Sequence, residues 1–412
     1  MNWRCSMASF KKYPANNKQG YKWGCIKEGP PDPVTGKRKQ IERRGDTKKE
    51  AEARCDEAIS KLTEFGIDEK KLKSLTFERV AEEWLDVYSR TGKKPGTLRL
   101  RRNSIKTLNS YIGQMSIDRI APRDHQRILN KLHDEEYAKP TIEGVHVTAN
   151  LIYQHAVKER YRRDNPAKGA VIPVRRRTVE EIESNPIEEK YLERAELNTL
   201  LDTAVKHGLE LDQEILFLMA FSGMRMGEVL ALKWSDINFD TGFVRVTKTL
   251  YSETNNMRVY ELLPPKTKAS IREFDVDAKI LAMLKAHKKR QAVVKLATRH
   301  LIEDYHDENF VFRHDNGYPW APKQLANRLE RLVRKAGIAK KATSHIFRHT
   351  HVSMLAEAEI PLSTIMQRVG HDDPDTTLKI YTHVTEKMKK DASQKVSASF
   401  ADILSGLALP KM

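Results

Sequence analysis

The segment FSGMRMGEVLALKWSDI, residues 221–237, interrupts one apolar helical stretch and opens another. Arg225 lies at this interruption, and we place it in the first turn of the second helix, where free backbone amides and the helix dipole favour an anion. Its guanidinium can hold two phosphate oxygens, and Glu228, one turn later, can support it. An ordinary surface Arg–Glu pair is the commoner interpretation of this spacing, so the segment indicates an anion site only together with other cationic residues.

Two further basic motifs follow along the chain. Lys266 belongs to PKTKASIR, residues 265–272, in a predicted turn between strands, from which a lysine can reach a phosphate or protonate a leaving oxygen. In SHIFRHTHVSMLAE, which starts at residue 344, His345 and Arg348 share one helical face. A second HxxR begins at His287, but it lies in a basic run and we interpret it as a solvated face.

The segment RVGHDDPDTTLKIYTHV, residues 368–384, carries the last candidates. Its glycine and proline predict the end of a helix, a turn and a new helix start. His371 falls in this turn, and Tyr381 lies near the end of the short helix that follows. Taken separately, a polar turn residue and a core tyrosine are the commoner interpretations of these two positions.

The candidates together form a coherent chemical set. Fixed cations stabilise the negative charge that spreads over the non-bridging oxygens of a phosphodiester in its transition state. A tyrosine nucleophile conserves the ester energy in a covalent intermediate. No carboxylate cluster, P-loop or nucleotide fingerprint is evident that would do this work through Mg²⁺. The six residues of the set are Arg225, Lys266, His345, Arg348, His371 and Tyr381.

The order and context of these four segments resemble the tyrosine recombinases, or phage-type integrases. The resemblance implies that Arg225 and Arg348 clamp the scissile phosphate, with Glu228 supporting Arg225. It implies that Lys266 is the general acid for the leaving 5′ oxygen. These are roles carried over from the family to matching positions, and the residues alone leave them open.

The same resemblance assigns the remaining positions. His345 would act as an acid or base near the nucleophile, and His371 would hydrogen-bond the phosphate. Tyr381 would attack the phosphate and form a 3′-phosphotyrosyl link. The family works without a metal, nucleotide or other cofactor, so we expect none here.

The N-terminal part of the chain is strongly basic. Residues 1–45 hold eleven lysines and arginines against three acidic residues. Aromatic residues alternate around Lys22 as in a strand, and a capping box at Thr47 predicts the start of a helix. We therefore predict a small sheet plus one helix over residues 1–68, resembling an arm-type DNA-binding domain. A solubilising basic arm is the alternative.

A helical unit follows. Apolar residues recur at helical spacing from Phe77, and Pro95 starts a helix in which basic side chains are interleaved with apolar ones. We predict an all-helical bundle over residues 75–168, resembling the family's core-binding domain. A solvated charged face is the alternative interpretation of the basic helix. Residues 169–190 then read as a basic linker.

Residues 191–395 form the predicted catalytic domain, which is mainly helical with a three-stranded β insert. We place the insert's strands at residues 243–246, 259–263 and 271–276. The predicted fold class is therefore mainly α with small β elements, arranged in three domains. Residues 396–412 form a tail that in this family docks on a neighbouring subunit, with docking on its own domain as the alternative. Its apolar stripe comprises Phe400, Ile403, Leu404 and Leu407.

The charge of the whole chain agrees with a nucleic-acid partner. Its 412 residues carry 73 basic and 56 acidic side chains, a net charge of +17, and such an excess points to a polyanion. We expect binding of double-stranded DNA at core-type and arm-type sites, a homotetramer on DNA, and help from an excisionase and a host DNA-bending protein. Candidate DNA contacts are Lys22, Arg38, Arg43, Arg44, Arg99, Arg101, Arg102, Lys106 and Arg176.

The apolar runs and the cysteines indicate in which cellular compartment the protein works. The longest apolar run is far short of a bilayer span, so no membrane association is expected. Cys5, Cys25 and Cys55 form no CxxC pair and predict neither a disulfide framework nor a zinc site, only small buried or incidental thiols. We expect a soluble protein of a bacterial cytoplasm, associated with the nucleoid.

The predicted function is site-specific recombination that integrates, and with a directionality factor excises, a mobile element such as a prophage or conjugative transposon. An Xer-like resolvase of chromosome or plasmid dimers is the nearest alternative, and the extra basic N-terminal unit argues against it. A type IB topoisomerase-like enzyme is a weaker alternative. A catalytically inactive architectural DNA-binding protein is the alternative of another class, and the intact set of six argues against it.

Overall fold

The computed structural model describes residues 8–31, 38–65, 75–175, 190–265, 267–341, 343–370, 375, 377–385, 388 and 393. They are mainly helical with small sheets, which confirms the predicted fold class. The chain divides into two compact units, Met1–Arg176 and Arg177–Met412. Within the described residues, no helix combines the length and apolarity needed to cross a lipid bilayer.

The N-terminal residues form a three-stranded antiparallel sheet and one helix. The strands are Ser9–Pro14 (β1), Tyr21–Pro31 (β2) and Arg38–Gly45 (β3), in the order β1-β2-β3. Helix α1, Lys48–Phe65, covers one face of the sheet, because Cys25 and other sheet residues share a small buried core with it. The predicted sheet plus helix is therefore present.

The capping box that opens α1 is present with a shifted return bond. The Thr47 hydroxyl accepts from the backbone amide of Glu50 at 3.1 Å. The Glu50 carboxylate accepts from the amide of Asp46 at 2.8 Å, one residue earlier than expected. Both bonds satisfy backbone donors at the helix start, so the sequence locates this boundary correctly.

Four helices form the bundle that the sequence predicts next. They are Phe77–Ser89 (α2), Pro95–Ile112 (α3), Pro122–Asp134 (α4) and Lys139–Lys158 (α5). Their apolar faces meet in one core, separate from the core under the sheet. Fully buried members of this core include Phe77, Leu108, Leu129 and Ile152.

The chain stays on the bundle after α5. Ala167 is buried in the bundle core, and Ile172 packs against it. The backbone of Val171 exchanges two hydrogen bonds, each 2.8 Å long, with the side-chain amide of Gln126. Residues 167–172 are therefore held by the bundle, although the sequence analysis assigns most of them to the linker.

The second unit is built mainly of helices, as the sequence predicts. One of them, Met226–Leu230, is a single short turn that follows the break at residue 223. The helices are Arg194–His207 (α6), Asp212–Ser222 (α7), Met226–Leu230 (α8), Ala278–Thr298 (α9), Pro322–Lys335 (α10), Ser344–Glu357 (α11), Leu362–Val369 (α12) and residues 377–385 (α13).

The β insert differs from the predicted three-stranded sheet. Phe243–Val246 (β4) pairs with Arg272–Asp275 (β7), and Thr249–Tyr251 (β5) pairs with Glu261–Leu263 (β6), all antiparallel. The described residues of the insert thus form two two-stranded sheets. The strand β5 was missed because it has three residues, too few to show an alternating pattern.

Two hydrophobic clusters hold the second unit together. The main core collects buried residues from α6 to α11 and from the strands. A smaller satellite cluster lies apart from it and includes the helix that carries Tyr381. The buried members of the satellite cluster are Tyr191, Val352, Ala356, Ile365, Val369, Ile380 and Val384.

Candidate active site

Arg225 lies at the N-cap of α8 with an extended backbone, one residue before the helical turn in which we predicted it. Its guanidinium donates to Glu228 Oε1 at 2.8 Å, and its backbone amide donates to Glu228 Oε2 at 3.0 Å. The predicted Arg–Glu pair is thus present, and Glu228 holds both ends of the arginine. About a third of the Arg225 side chain stays exposed, so the guanidinium remains accessible to an anion.

A second arginine, to which the sequence analysis gives no role, completes this pair. Arg272, on β7, donates to Glu228 Oε2 at 2.9 Å, and both side chains are almost fully buried. Burial by itself raises the pKa of the Glu228 carboxyl, but Arg272 and Arg225 outweigh it and hold the pKa below its usual value. Glu228 is therefore a fixed anion between two guanidinium groups.

Arg272 also connects two other segments of the site. It donates to the backbone carbonyl of Arg368 at 2.8 Å and to that of Ser270 at 3.1 Å. One sequence signal could have found it: Arg272 alternates with Phe274 on the buried face of the predicted strand, and a buried arginine needs partners.

Gly370 brings the end of α12 against Arg225. Its carbonyl accepts from Arg225 Nη2 at 3.2 Å. Its φ of +68° is left-handed, and a Cβ there would lie 2.9 Å from the carbonyl oxygen of Ala269. Only glycine suits this position. Two predicted site residues are close to this contact in the sequence: Lys266 precedes Ala269, and His371 follows Gly370. Both Lys266 and His371 are outside the described residues.

Among the predicted site residues that the structure describes, Arg348 is the most buried. Its side chain, on α11, is 1% exposed and donates to the carbonyl of Gly223 at 2.9 Å. Burial, and then the charges of Arg225 and Arg272, lower the pKa of Arg348 to about 9. The guanidinium therefore stays charged at neutral pH while it is surrounded by protein.

His345, one turn before Arg348, lies at the surface end of the same helix face. Partial desolvation of its ring, followed by the charges of Arg348 and Arg225, lowers its pKa. We call the cationic group formed by Arg225, Arg272 and Arg348 the arginine pocket. A neutral imidazole next to this pocket can accept a proton. This is the predicted HxxR arrangement, with His345 exposed and Arg348 buried behind it.

Two neighbouring histidines were not predicted. His349 follows Arg348, its ring lies 6.4 Å from that of His345, and burial lowers its pKa to about 4. His351 is buried, donates from Nδ1 to the carbonyl of Ala220 at 3.0 Å, and accepts from Arg368 at 3.3 Å. Burial and then Arg368 lower the pKa of His351 to about 3. Both imidazole rings are therefore neutral at physiological pH.

Tyr381 lies on α13 and packs against the satellite cluster. The helix continues to residue 385, so Tyr381 is an interior residue and not the near-terminal one that we predicted. Its side chain is half-buried, and its hydroxyl makes no hydrogen bond to any described residue. The structure thus groups Arg225, Glu228, His345 and Arg348 and places Tyr381 on a separately packed helix.

The histidine of the second HxxR motif is buried. His287 is 4% exposed, and its Nε2 contacts the carbonyl of Val311 at 2.8 Å. Its ring stacks on Phe312 in the main core. The prediction of a solvated face at His287 is wrong, because the helix turns this position inward, although the residue is no part of the site.

Only some basic residues of the N-terminal sheet share its open face, because Arg43 is level with buried Cys25 and so lies on the face toward α1. Cross-strand register puts Lys11 and Arg44 level with each other, and Lys22 two residues along, on the face opposite α1. The Arg44 guanidinium stacks on the Tyr13 ring at 3.8 Å. Arg38 is exposed and lies 3.9 Å from a glutamate, whereas Arg43 is half-buried and donates to the carbonyl of Glu42 at 2.9 Å.

The candidates on α3 divide into two groups. Arg99, Arg102 and Lys106 are exposed. Arg101 is half-buried and donates to the Thr148 hydroxyl at 2.9 Å, so it helps to join α3 to α5. Arg176 lies outside the described residues.

Acidic, histidine and cysteine side chains are not gathered into a metal site in the described part of the chain, where no group of three could hold an ion. The charge of the pocket comes instead from Arg225, Arg272 and Arg348, with Glu228 between two of them. Such a pocket can bind a dianionic or monoanionic phosphate through fixed cations.

Three family matches cover most of the chain. Residues 190–388 match the phage integrase family. Residues 76–133 match the N-terminal SAM-like domain of phage integrases, and residues 10–62 match an arm DNA-binding domain.

Two relatives match along about four fifths or more of the chain. A XerC-like tyrosine recombinase of Caldanaerobacter subterraneus subsp. tengcongensis is 31% identical over 369 residues, covering 86% of this chain and 91% of the relative. The integrase of Staphylococcus phage L54a is 30% identical over 339 residues, covering 79% and 94%.

Solved structures agree with the fold. The Tn1549 transposon integrase in complex with transposon right end DNA has a TM-score of 0.60 at 18% identity, covering 78% of this chain and all of that one. A lambda integrase dimer bound to a core site has a TM-score of 0.55 at 16% identity, covering 90% of this chain and 94% of that one. The chain therefore belongs to the phage integrase family and is a tyrosine recombinase.

Proposed function

We propose that this recombinase integrates a mobile element into DNA at a specific site, and excises it with a directionality factor, through a 3′-phosphotyrosyl intermediate. The observation that carries the proposal is the buried arginine pocket: Arg348 is held by a backbone carbonyl, and Arg225 is held by a glutamate that Arg272 fixes in turn. These cations are in place before a substrate arrives. They therefore lower the barrier without reorganisation when charge develops on the phosphate.

In the proposed reaction, the Tyr381 oxygen attacks the scissile phosphorus and gives up its proton. The bond from phosphorus to the 5′ oxygen breaks, and Lys266 supplies the proton that the leaving oxygen takes up. His345 accepts the tyrosine proton, as its lowered pKa allows, and His371 hydrogen-bonds a non-bridging oxygen. Rejoining reverses these steps with a 5′ hydroxyl of the other duplex, so no high-energy cofactor is consumed.

DNA contact is divided among the parts of the chain. We assign residues 1–68 to arm-type sites, because their sheet presents Lys11, Lys22 and Arg44 on its open face. Residues 75–168 and the catalytic domain, residues 191–395, would bind the core site together. The basic linker 169–190 would connect these two domains. Exposed basic residues on α3 suit phosphate contacts.

The assembly follows from the proposed reaction. Four copies would act on two duplexes, as in the lambda integrase tetramer bound to a Holliday junction. The tail, residues 396–412, is outside the described residues, and we keep the proposal that it docks on a neighbouring subunit. An excisionase and a host DNA-bending protein complete the proposed set of partners, at the bacterial nucleoid.

Resolution of chromosome or plasmid dimers is a second candidate function, favoured by the XerC-like name of one relative. The two functions differ in substrate. An integrase needs arm sites as well as a core site, whereas a resolvase recombines two equal core sites. Recombination of core-only plasmids at the same rate as plasmids with arms would favour the resolvase.

The test of the chemistry is the covalent adduct. A suicide substrate with a nick next to the cleavage site should trap wild-type protein on the 3′ phosphate. Tyr381→Phe should trap none, because the nucleophilic oxygen is gone, while its affinity for the same DNA stays within about threefold, since a single hydroxyl contributes little to binding. Adduct formation by Tyr381→Phe would overturn the assignment of the nucleophile.

A further inference from the structure

The second compact unit contains the catalytic domain, and we call it the catalytic unit. Its described part begins with a short stretch, residues 190–194, that we call the junction segment. Two adjacent side chains in it are almost fully buried: Tyr191 is 3% exposed and Leu192 is 1% exposed. They enter different cores. Leu192 belongs to the main core, whereas Tyr191 belongs to the satellite cluster that holds the Tyr381 helix.

Tyr191 is unusual within the satellite cluster. Every other described member of the cluster comes from α11, α12, α13 or residues next to them, all beyond residue 351. Tyr191 alone among them comes from the N-terminal side of the catalytic unit. A large, rigid ring from a distant part of the chain therefore completes the packing of a helix whose other neighbours are close to it in sequence.

The junction segment contacts both catalytic helices near their predicted reactive residues. The amide of Leu192 donates to the Thr350 hydroxyl at 2.9 Å, and Thr350 lies two residues beyond Arg348. The ring of Tyr191 lies 6.4 Å from that of His383, which is two residues beyond Tyr381. The segment thus touches α11 and α13 within one helical turn of the residues that we place in the reaction.

The backbone of the junction segment is itself fixed. Lys340 donates to the carbonyl of Tyr191 at 3.1 Å and pairs with Glu196 at 2.6 Å. The Thr350 hydroxyl that receives the Leu192 amide also donates to the carbonyl of Ile346 at 2.8 Å, and Thr350 is fully buried. Tyr191 therefore has a defined position relative to α11, from which it can set the position of α13.

The position of α13 matters because a nucleophile must approach the phosphorus along a narrow path. A displacement of about 1 Å can cost about a hundredfold in rate. Ile380, Tyr381 and Val384 of α13 pack in the satellite cluster, and such apolar contacts lack direction. Loss of the Tyr191 ring would leave a cavity into which the helix can shift.

We infer that Tyr191 is a positioning residue for the recombination reaction. Its ring, fixed to α11 through the Leu192–Thr350 hydrogen bond, holds the Tyr381 helix in register with His345 and Arg348. This inference rests on the proposed function of the site. It assigns a catalytic effect to the point at which the linker joins the catalytic unit.

The experiment compares cleavage and binding in full-length variants. Tyr191→Ala and Thr350→Val should each slow single-turnover cleavage of the suicide substrate by about 10- to 100-fold at saturating protein, because the nucleophile is misplaced, while the Kd for the core DNA changes by less than about threefold. Tyr191→Phe, which keeps the ring, and Thr350→Ser, which keeps the hydroxyl, should restore cleavage to within about threefold of wild type.

Ile365→Ala is the control for stability, since it truncates another fully buried member of the satellite cluster that is not part of the junction segment. Equal losses of cleavage in Ile365→Ala and Tyr191→Ala at equal melting temperature would overturn the inference, as would wild-type cleavage by Tyr191→Ala. A wild-type chain that forms no adduct would instead contradict the proposed function. The two failures are therefore distinguishable.

Discussion

The positive charges of the N-terminal sheet and those of the catalytic pocket are held in opposite ways. On the sheet, Lys22 lies 3.7 Å from Asp46 and Arg38 lies 3.9 Å from Glu28, and the four side chains are about half exposed. In the pocket, Arg348 is 1% exposed and bound to a backbone carbonyl. Lys22 and Arg38 are thus loosely paired, whereas Arg348 is fixed.

This difference separates affinity from catalysis. Exposed charges with distant partners can exchange a carboxylate for a phosphate at little cost, and salt screens them. Buried arginines cannot relax, so they act on charge that develops where they point. The sheet should therefore govern how tightly and at what ionic strength the protein binds DNA, whereas the pocket should govern how fast it cuts.

The largest effect is expected at Arg348. Arg348→Ala should lower the cleavage rate by about 1,000-fold or more, because it removes a fixed cation from the transition state. Arg348→Lys keeps a charge but loses the planar fork, and should recover only part of the rate. Single-turnover cleavage and DNA affinity are measured together. A folded Arg348→Ala protein that cuts within tenfold of wild type would remove the distinction between the two regions.

A smaller effect is expected where one buried charge supports another. Arg272→Met leaves Glu228 buried with one partner fewer, which should lower the free energy of unfolding by about 3 kcal/mol and the cleavage rate by about 10- to 100-fold. The double variant Arg272→Met/Glu228→Leu should regain stability but not cleavage, because Arg225 has lost its support. Urea unfolding and suicide-substrate rates test both parts. Recovery of cleavage in the double variant would refute the supporting role of Glu228.

On the sheet, the effect should appear in binding alone. Replacing Lys11, Lys22 and Arg44 with glutamine should weaken arm-site binding and reduce the slope of log K against log salt by up to about 3. Cleavage of a core-only suicide substrate should stay at the wild-type rate. Lys12→Gln is the control, because Lys12 lies next to Lys11 on β1 but on the opposite face of the sheet. A loss of core cleavage in the triple variant would show that the sheet also acts on chemistry.

The smallest effect concerns pH. The pKa of buried His351 is about 3, below the value near 6.5 of an unfolded chain, so its stabilising contribution is complete above pH 6.5 and is lost as pH falls toward 3. Acidification from pH 7 to 5 should therefore cost the catalytic unit about 1–2 kcal/mol through this residue. His351→Gln should flatten the dependence in urea titrations. The first 65 residues contain no histidine, so unfolding of the sheet should show no matching change.

Local sequence patterns predict many of the helices and part of the candidate site. Helices follow from apolar spacing, and the Arg225–Glu228 pair and the HxxR helix are short-range features that one segment of sequence contains. The Arg272–Glu228 bond joins residues 44 positions apart, and no local pattern reports such a partner. Strand β5 was not predicted for a related reason. Its three residues form a strand only because β6 pairs with them. The burial of His287 likewise depends on a neighbour, Phe312, from a distant part of the chain.

The thiols under the sheet make the N-terminal region observable on its own. All three cysteines of the chain lie within its first 55 residues, and Cys25 and Cys55 are buried as free cysteines between sheet and helix. Burial raises the pKa of Cys25 to about 12, so a thiol reagent can modify it only during transient opening. With Cys5→Ser in place, the labelling rate of the full-length protein would report the opening equilibrium of this region alone. Slower labelling in the presence of arm-site DNA would then measure arm engagement while the recombinase is at work.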